Sequence, residues 1–391
     1  MQTVAVGALV VAHTGKALWA VLIAAGGFLP IGLLSPLGGA LADRMARKPV
    51  LVLGNLAAAA VALGIAALVA TGHDAPGVLT VLVTLQGAVS ALTSPFQQAI
   101  LPDLVPRSEF LAASSLGSAQ FNLGRVLGPV LAGTTIAAFG YPMAFVANAV
   151  SFLAVVVALC FITLGPPPSE GAEPLSRSLR LGWRAALDTP ACRSAILTIA
   201  IVAFLASPFI ALVPAMAHRV SRGGARSLAG ATAVLTTAQG VGAVIGAVLL
   251  APLALRLGRG RVLAGSIAAL PPVLVLYGLA GTLPLATAAL FAVGLVYIGV
   301  LSSLSTVVQL SAPNEFRGRI LSIYLVALGV AYPLGSLVQG PLADRIGLGW
   351  TTGGTAVLLA AVLAGILVVR PQVLRPLAAR DLGRSGTHVL G

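Results

Sequence analysis

The residues able to do chemistry fall into a few small groups. In Gly39-Ala-Leu-Ala-Asp43-Arg44-Met-Ala-Arg47-Lys48, one carboxylate stands beside three cations. Charge-assisted hydrogen bonds in such a group form a clamp that protonating Asp43 would weaken. The plainer reading is interfacial anchoring by Arg and Lys. Arg125 lies deep in a long apolar run, on a helical stripe with Ser118, Asn122 and Pro129. A charge so placed is costly and points to function: it meets an acid, binds backbone carbonyls or contacts an anionic substrate. Stripes of uncharged polar residues recur at helical spacing: Gln86, Ser90, Thr93 and Gln97; Thr232, Thr236 and Gln239; Ser302, Ser305 and Gln309; Tyr332, Gly335 and Gln339. These either line a cavity or gate, or bond neighbouring helices. Phe121, Tyr277, Tyr297 and Tyr324 offer aromatic contact to an apolar compound or serve as core.

Enzyme chemistry is missing from this inventory. No phosphate-cradling Gly-x-x-x-x-Gly-Lys-Ser/Thr loop is present, which argues against direct use of ATP. His13, His73, His218 and His388 are scattered and form no metal set. Cys160 and Cys192 are far apart in sequence, so neither a disulfide nor a metal pattern is expected.

The elements that must position these residues follow from composition. The chain of 391 residues is 58% hydrophobic and 8% charged, with a mean hydropathy of +1.03. Soluble domains carry about 25% charged residues. Apolar runs of about 20 residues recur throughout, each able to cross a hydrocarbon core as a helix. They are continuous rather than alternating, which disfavours a barrel. The expected class is an all-α polytopic membrane protein.

Eleven spans are read, at 17–41, 49–71, 77–98, 110–139, 141–164, 191–216, 228–255, 261–281, 283–308, 318–343 and 349–369. The apolar stub Met1–Ala12 reaches only about 18 Å as a helix, and reads as the outer part of a first span. A start codon placed late or a truncation explains it; a short re-entrant segment is the alternative. The N-terminal residues lack the positive region of a cleavable signal peptide, so none is expected.

The net charge of +13 does not point to nucleic acid, because the basic residues sit in loops between spans. With loop 42–48 inside, only Lys16, Arg219, Arg222, Arg226 and Arg345 fall outside. That asymmetry sets the expected orientation, with both termini of the full-length protein in the cytoplasm. The expected organisation is an N-terminal bundle at 1–164, a cytoplasmic linker at 165–190, a C-terminal bundle at 191–370 and a tail at 371–391. Within the linker, 176–187 predicts a short basic amphipathic helix on the inner leaflet.

The halves repeat. At a shift of 212, Arg44 matches Arg256, Arg47 matches Arg259, Ser90 matches Ser302 and Gln97 matches Gln309. At 206–207, Glu109-Phe110 matches Glu315-Phe316, Gly133 matches Gly340 and Gly140 matches Gly347. Parallel six-helix halves related by an axis along the membrane normal describe one transporter architecture.

The chain resembles the major facilitator superfamily along essentially its whole length. Its hallmark, roughly G-x-L-A-D-R-x-G-R-[RK], is met by Gly39, Leu41, Ala42, Asp43, Arg44, Arg47 and Lys48, with Ala46 in place of the second glycine. A second copy, Ala254-Leu-Arg256-Leu-Gly258-Arg259-Gly-Arg261, keeps the cations but lacks the Asp. Gly340-Pro-Leu-Ala-Asp344-Arg345-Ile-Gly347 is a further echo. Several stretches are similar to the drug- and siderophore-exporter branch: Met1–Ala5, Ala99–Pro106, Gly124–Gly133 and Glu315–Arg319.

The resemblance implies two six-helix bundles and alternating access. It implies that Asp43, Arg44, Arg47, Lys48, Arg256 and Arg259 latch the halves. Asn122, Gly124, Arg125, Gly128, Pro129 and Gly133 look like the fifth span of antiporters; ordinary helix packing is the alternative. The implied function is export of a small amphiphilic compound (drug, siderophore or secondary metabolite) by proton antiport, a multidrug-resistance type of activity. The cofactor expectation is none beyond the proton gradient. The partners expected are a small-molecule substrate and the lipid bilayer, with no nucleic acid, in a monomer of the cell membrane. The alternatives are a proton-coupled nutrient importer and a non-transporting membrane relic or scaffold.

Overall fold

The computed structural model describes residues 2–42, 45–162, 175–221, 224–313 and 315–369. The chain is all-helical over these residues, as lipid requires: with no water available, each segment must satisfy its own backbone N–H and C=O groups. The helices of the first part are α1 (Gln2–Thr14), α2 (Ala17–Ala42), α3 (Arg47–Ala70), α4 (Pro76–Leu104), α5 (Phe110–Phe139) and α6 (Tyr141–Phe161). A linker helix, α7 (Leu175–Asp188), follows. Then come α8 (Pro190–Leu205), α9 (Val213–Val220), α10 (Ala225–Leu257), α11 (Arg259–Leu279), α12 (Leu283–Ser311), α13 (Arg317–Ile346) and α14 (Leu348–Val369).

Among the described residues, ten segments are long and apolar enough to cross a membrane, with α8 to α9 counted as one. The α1 helix and Val126–Phe139 of α5 are shorter apolar stretches. Among the described residues, ten of the eleven spans read from sequence each lie largely on one helix. Large apolar side chains such as Phe161, Leu116 and Val248 are exposed, the normal state of a surface solvated by lipid.

The repeat is visible in how helices end. The α5 and α13 helices each have 30 residues. They stop at matched glycines, Gly140 with φ 85° and Gly347 with φ 89°. That left-handed backbone favours glycine and turns the chain at once into the next span. The Ala46 position asks for no glycine: its backbone is extended, at φ −60° and ψ 124°.

One span departs from expectation. The segment 191–216 is not a single helix. It breaks into α8, a 3₁₀ turn at Ser207–Phe209, and α9. Pro208 has no N–H to offer Phe204 O, and Phe209 N bonds Ala206 O, 3.3 Å away, instead of Leu205 O. Two carbonyls are thereby freed inside an apolar bundle. Gln339 Nε2 takes both, at 3.2 Å from Phe204 O and 3.0 Å from Leu205 O.

The chain folds as two compact units. The first holds residues up to Glu173 together with Ala211–Thr237; the second holds Pro174–Ile210 and everything from Ala238 onward. The units thus follow the two linear halves except for Ala211–Thr237, which groups with the first. In unit 1, α2 lies along α4 and α3 along α6. The α2–α4 approach needs glycine: a Cβ on Gly87 would stand 2.6 Å from Gly27 O. The α9 helix and the start of α10 pack here too. Tyr141 Oη donates to Ala225 O at 3.1 Å, and Gly133 faces Ala233. In unit 2, α13 runs against α8, and α11 against α12 and α14.

Candidate functional site

A cavity of about 160 Å³ opens inside unit 1, between α1, α2 and α4. Gln2, Thr3, Gly27, Phe28, Ile31, Val83, Gln86, Gly87 and Ser90 line it. Gln2 is 7% exposed. Its Oε1 accepts a 2.8 Å hydrogen bond from Asn148 Nδ2 of α6, which leaves Nε2 directed elsewhere. Gln2 Nε2 and Gln86 Oε1 are both buried without a hydrogen-bond partner. Ser90 Oγ is satisfied by its own helix, donating to Gln86 O at 2.9 Å. None of the lining side chains is ionisable.

An unmatched buried donor and acceptor in one cavity are costly unless something completes them. Pockets for drug-sized ligands span about 300–1,000 Å³. This one has room for a small group beside half-exposed Phe28 and not for a whole drug-sized molecule. Of its residues, sequence pattern pointed to Gln86 and Ser90. It missed Gln2 and Asn148, because α1 read as a stub and Asn148 stands in no polar stripe.

The charged loop is only partly described: Asp43 and Arg44 lie outside the described residues. Its other cations make staples within unit 1. Arg47 Nη1 donates to Ala99 O of α4 at 2.9 Å. Lys48 Nζ donates to Cys160 O and Ile162 O, at 3.2 and 2.9 Å, where α6 ends. A cation there complements the negative helix terminus. Gly39 is half-buried near the end of α2, and a Cβ on it would meet nothing. Arg256 closes α10 and Arg259 opens α11.

Of the fifth-span residues, the side chains of Asn122 and Arg125 lie outside the described set. The α5 helix runs unbroken through Gly128 and Pro129. Among the described residues, a Cβ on Gly124 would meet nothing within 4 Å, whereas one on Gly133 would come 2.5 Å from Ala233 Cβ.

In unit 2 the polar residues divide. Gln239, Gln339 and Tyr332 are all buried. Gln339 clasps the broken end of α8 as described, and Gly335 lets α13 come close enough, since a Cβ there would collide with Phe204 O. Ser207 Oγ and Tyr297 Oη share a 2.7 Å hydrogen bond, and the Phe209 ring stands edge-on to Tyr297 at 5.5 Å. Thr236 bonds its own helix through Thr232 O at 2.7 Å. Ser302 O accepts from Thr306 Oγ1 at 2.8 Å. Gln97 and Gln309 are exposed, and Gln309 Nε2 donates to Ser305 Oγ at 3.1 Å. No group of His, Cys, Asp and Glu able to hold a metal ion occurs among the described residues.

A polytopic helical membrane protein with a repeat in its sequence, and with a mostly apolar cavity between spans that carries a few polar groups, has the make-up of a transporter. The chain belongs to the transmembrane secretion effector family of the major facilitator superfamily, whose model matches residues 1–385. It is similar to the multidrug efflux pump Tap of Mycolicibacterium fortuitum, at 28% identity over 94% of this chain and 91% of that protein. It is also similar to the enterobactin exporter EntS of Escherichia coli, at 28% identity over 89% of this chain and 84% of that one. Among solved structures, the nucleoside transporter NupG has the same fold, with a TM-score of 0.74 at 15% identity and 94% of each chain covered.

Proposed function

We propose that this chain exports a small amphiphilic compound by proton antiport, through alternating access of its two halves. The observation that carries the substrate side is the cavity between α1, α2 and α4. It has an unmatched donor on Gln2 and an unmatched acceptor on Gln86, and no ionisable residue in its lining. That chemistry selects a neutral group that both accepts and donates, such as a carboxamide, flanked by an apolar body for Phe28. Export as the direction draws support from the efflux pump and the enterobactin exporter among the relatives.

In this reading the end of unit 1 bearing Arg47 and Lys48 faces the cytoplasm of a bacterial cell, as the asymmetry of basic loops favours. Asp43, Arg44, Arg256 and Arg259 form the breakable latch, and Arg125 with Asn122 serves the transport path along α5. Tyr332, Gln339, Gln239 and Ser302 are the corresponding polar set of unit 2. The protein acts as a monomer.

The test is energised efflux from a pump-deficient host. Cells loaded with neutral, anionic or cationic amphiphiles are followed with and without a protonophore, for the chain and its Arg125→Ala variant. Protonophore-sensitive expulsion, strongest for neutral compounds and lost in the variant, is the expected result. Absence of efflux from protein shown to be correctly inserted would overturn the proposal. Accumulation above the control would replace it with import.

A further inference from the structure

The α7 helix sits where spans of unit 2 begin. It runs into Pro190, the first residue of α8, and packs on the start of α13. That contact is close: a Cβ on Gly182 would lie 2.8 Å from Arg319 Cβ. Ala186, one helical turn on, is 2% exposed. Gly182 and Ala186 thus mark the face turned toward the protein.

The next face round is apolar but uncovered. Trp183 is 52% exposed and Leu187 43%, and they lie one turn apart, so they form one shoulder. Beyond it on the helical wheel stands exposed Arg184, and the sequence places Arg180 and Arg177 on the same stripe. Asp188 is the single acid of the helix. Arg193 Nη1 lies 3.4 Å from Leu187 O, adding positive charge at the C-terminal end of α7. Around the helix the order is protein contact, aromatic and aliphatic shoulder, then arginines.

Water rewards neither an exposed Trp–Leu pair nor its placement beside a row of like charges. A bilayer surface rewards both. Trp and Leu reach the acyl boundary while arginines meet phosphates, and the level is set because α8 and α13 start there. We propose that α7 is a docking surface for anionic phospholipid, with Trp183 and Leu187 inserted and the arginine stripe binding headgroup phosphates. The excess of cations over the one acid is the complementarity that selects anionic over zwitterionic headgroups. This proposal is independent of what the protein transports.

The three tryptophans of the chain are Trp19, Trp183 and Trp350, so Trp19→Phe with Trp350→Phe leaves Trp183 as the sole reporter. The full chain is placed in lipid nanodiscs containing either brominated phosphatidylglycerol or brominated phosphatidylcholine at equal mole fraction. The expected result is quenching of Trp183 by both lipids, about threefold stronger with the anionic one at low salt. The preference should fall to parity in Arg180→Gln with Arg184→Gln and shrink in high salt. Equal quenching by the two lipids in the unaltered helix would overturn the anionic preference. No quenching by either would overturn the lipid-facing placement altogether and favour a protein cover or a wet surface. Size-exclusion elution and helix content matched to the parent show that each variant is folded.

Discussion

Replacing Gln339 with Leu removes two hydrogen bonds from the point where α8 breaks. Phe204 O and Leu205 O then face an apolar bundle with no donor. Interhelical hydrogen bonds in membrane proteins average about 0.6 kcal/mol, and the strongest reach about 1.7. Two of them place the expected loss at about 1.2 to 3.4 kcal/mol. The cause assigned to the break makes a sharper test available. Pro208→Ala restores an N–H that can bond Phe204 O within the helix. In that background one of the two carbonyls no longer needs Gln339, so the cost of Gln339→Leu should fall by about half. The assay is equilibrium unfolding in mixed micelles of the four chains that make up the cycle. An unchanged cost in the Pro208→Ala background would refute the claim that the missing proline N–H is what Gln339 replaces. No cost in either background would refute the clasp itself.

Two further outcomes follow from the packing. Gly133→Ala sets a methyl 2.5 Å from Ala233 Cβ, which has no rotamer to escape into, so α5 and α10 must part at a cost of about 1–3 kcal/mol. Gly124→Ala meets no neighbour and should be neutral or stabilising by up to about 1 kcal/mol; thermal denaturation of the pair separates them. Lys48→Gln withdraws the cation from the Cys160 and Ile162 carbonyls and should lower stability by about 0.3–1 kcal/mol. Lys48→Glu should cost more, read in the same melts.

Much of the fold was legible because lipid leaves the chain few options. A continuous apolar run of span length has to be a helix, and the repeat told where equivalent helices stop. Gly140 and Gly347 matched in sequence, and both adopt the positive φ that ends a span. The break between α8 and α9 was not legible. Proline inside a span is a poor signal, since α2, α5, α10, α11 and α13 all continue through theirs. What differs at Pro208 is a tertiary event: a glutamine more than a hundred residues away donates to the freed carbonyls.

The cavity was half legible. Gln86 and Ser90 stood on a polar stripe, and the stripe faces a pocket. Gln97, on the same stripe, is exposed instead. Gln2 gave no periodic signal, and its importance rests on Asn148, which occupies its carbonyl and leaves its amide nitrogen unmatched. Hydroxyl stripes carry a mixed signal, because Thr and Ser in a helix commonly bond back to their own backbone, as Thr232 and Thr236 do.

The most direct test of the central claim is the transport kinetics of a neutral, amide-bearing amphiphile in Gln86→Leu and Gln2→Leu, with exposed Gln98→Leu as control. Each cavity substitution removes one hydrogen bond to cargo, about 0.5–1.5 kcal/mol, so KM should rise about two- to tenfold while the maximal rate changes little and the control matches the parent. Unchanged KM in both cavity variants, in chains that still transport, would contradict the assignment of cargo to the cavity between α1, α2 and α4.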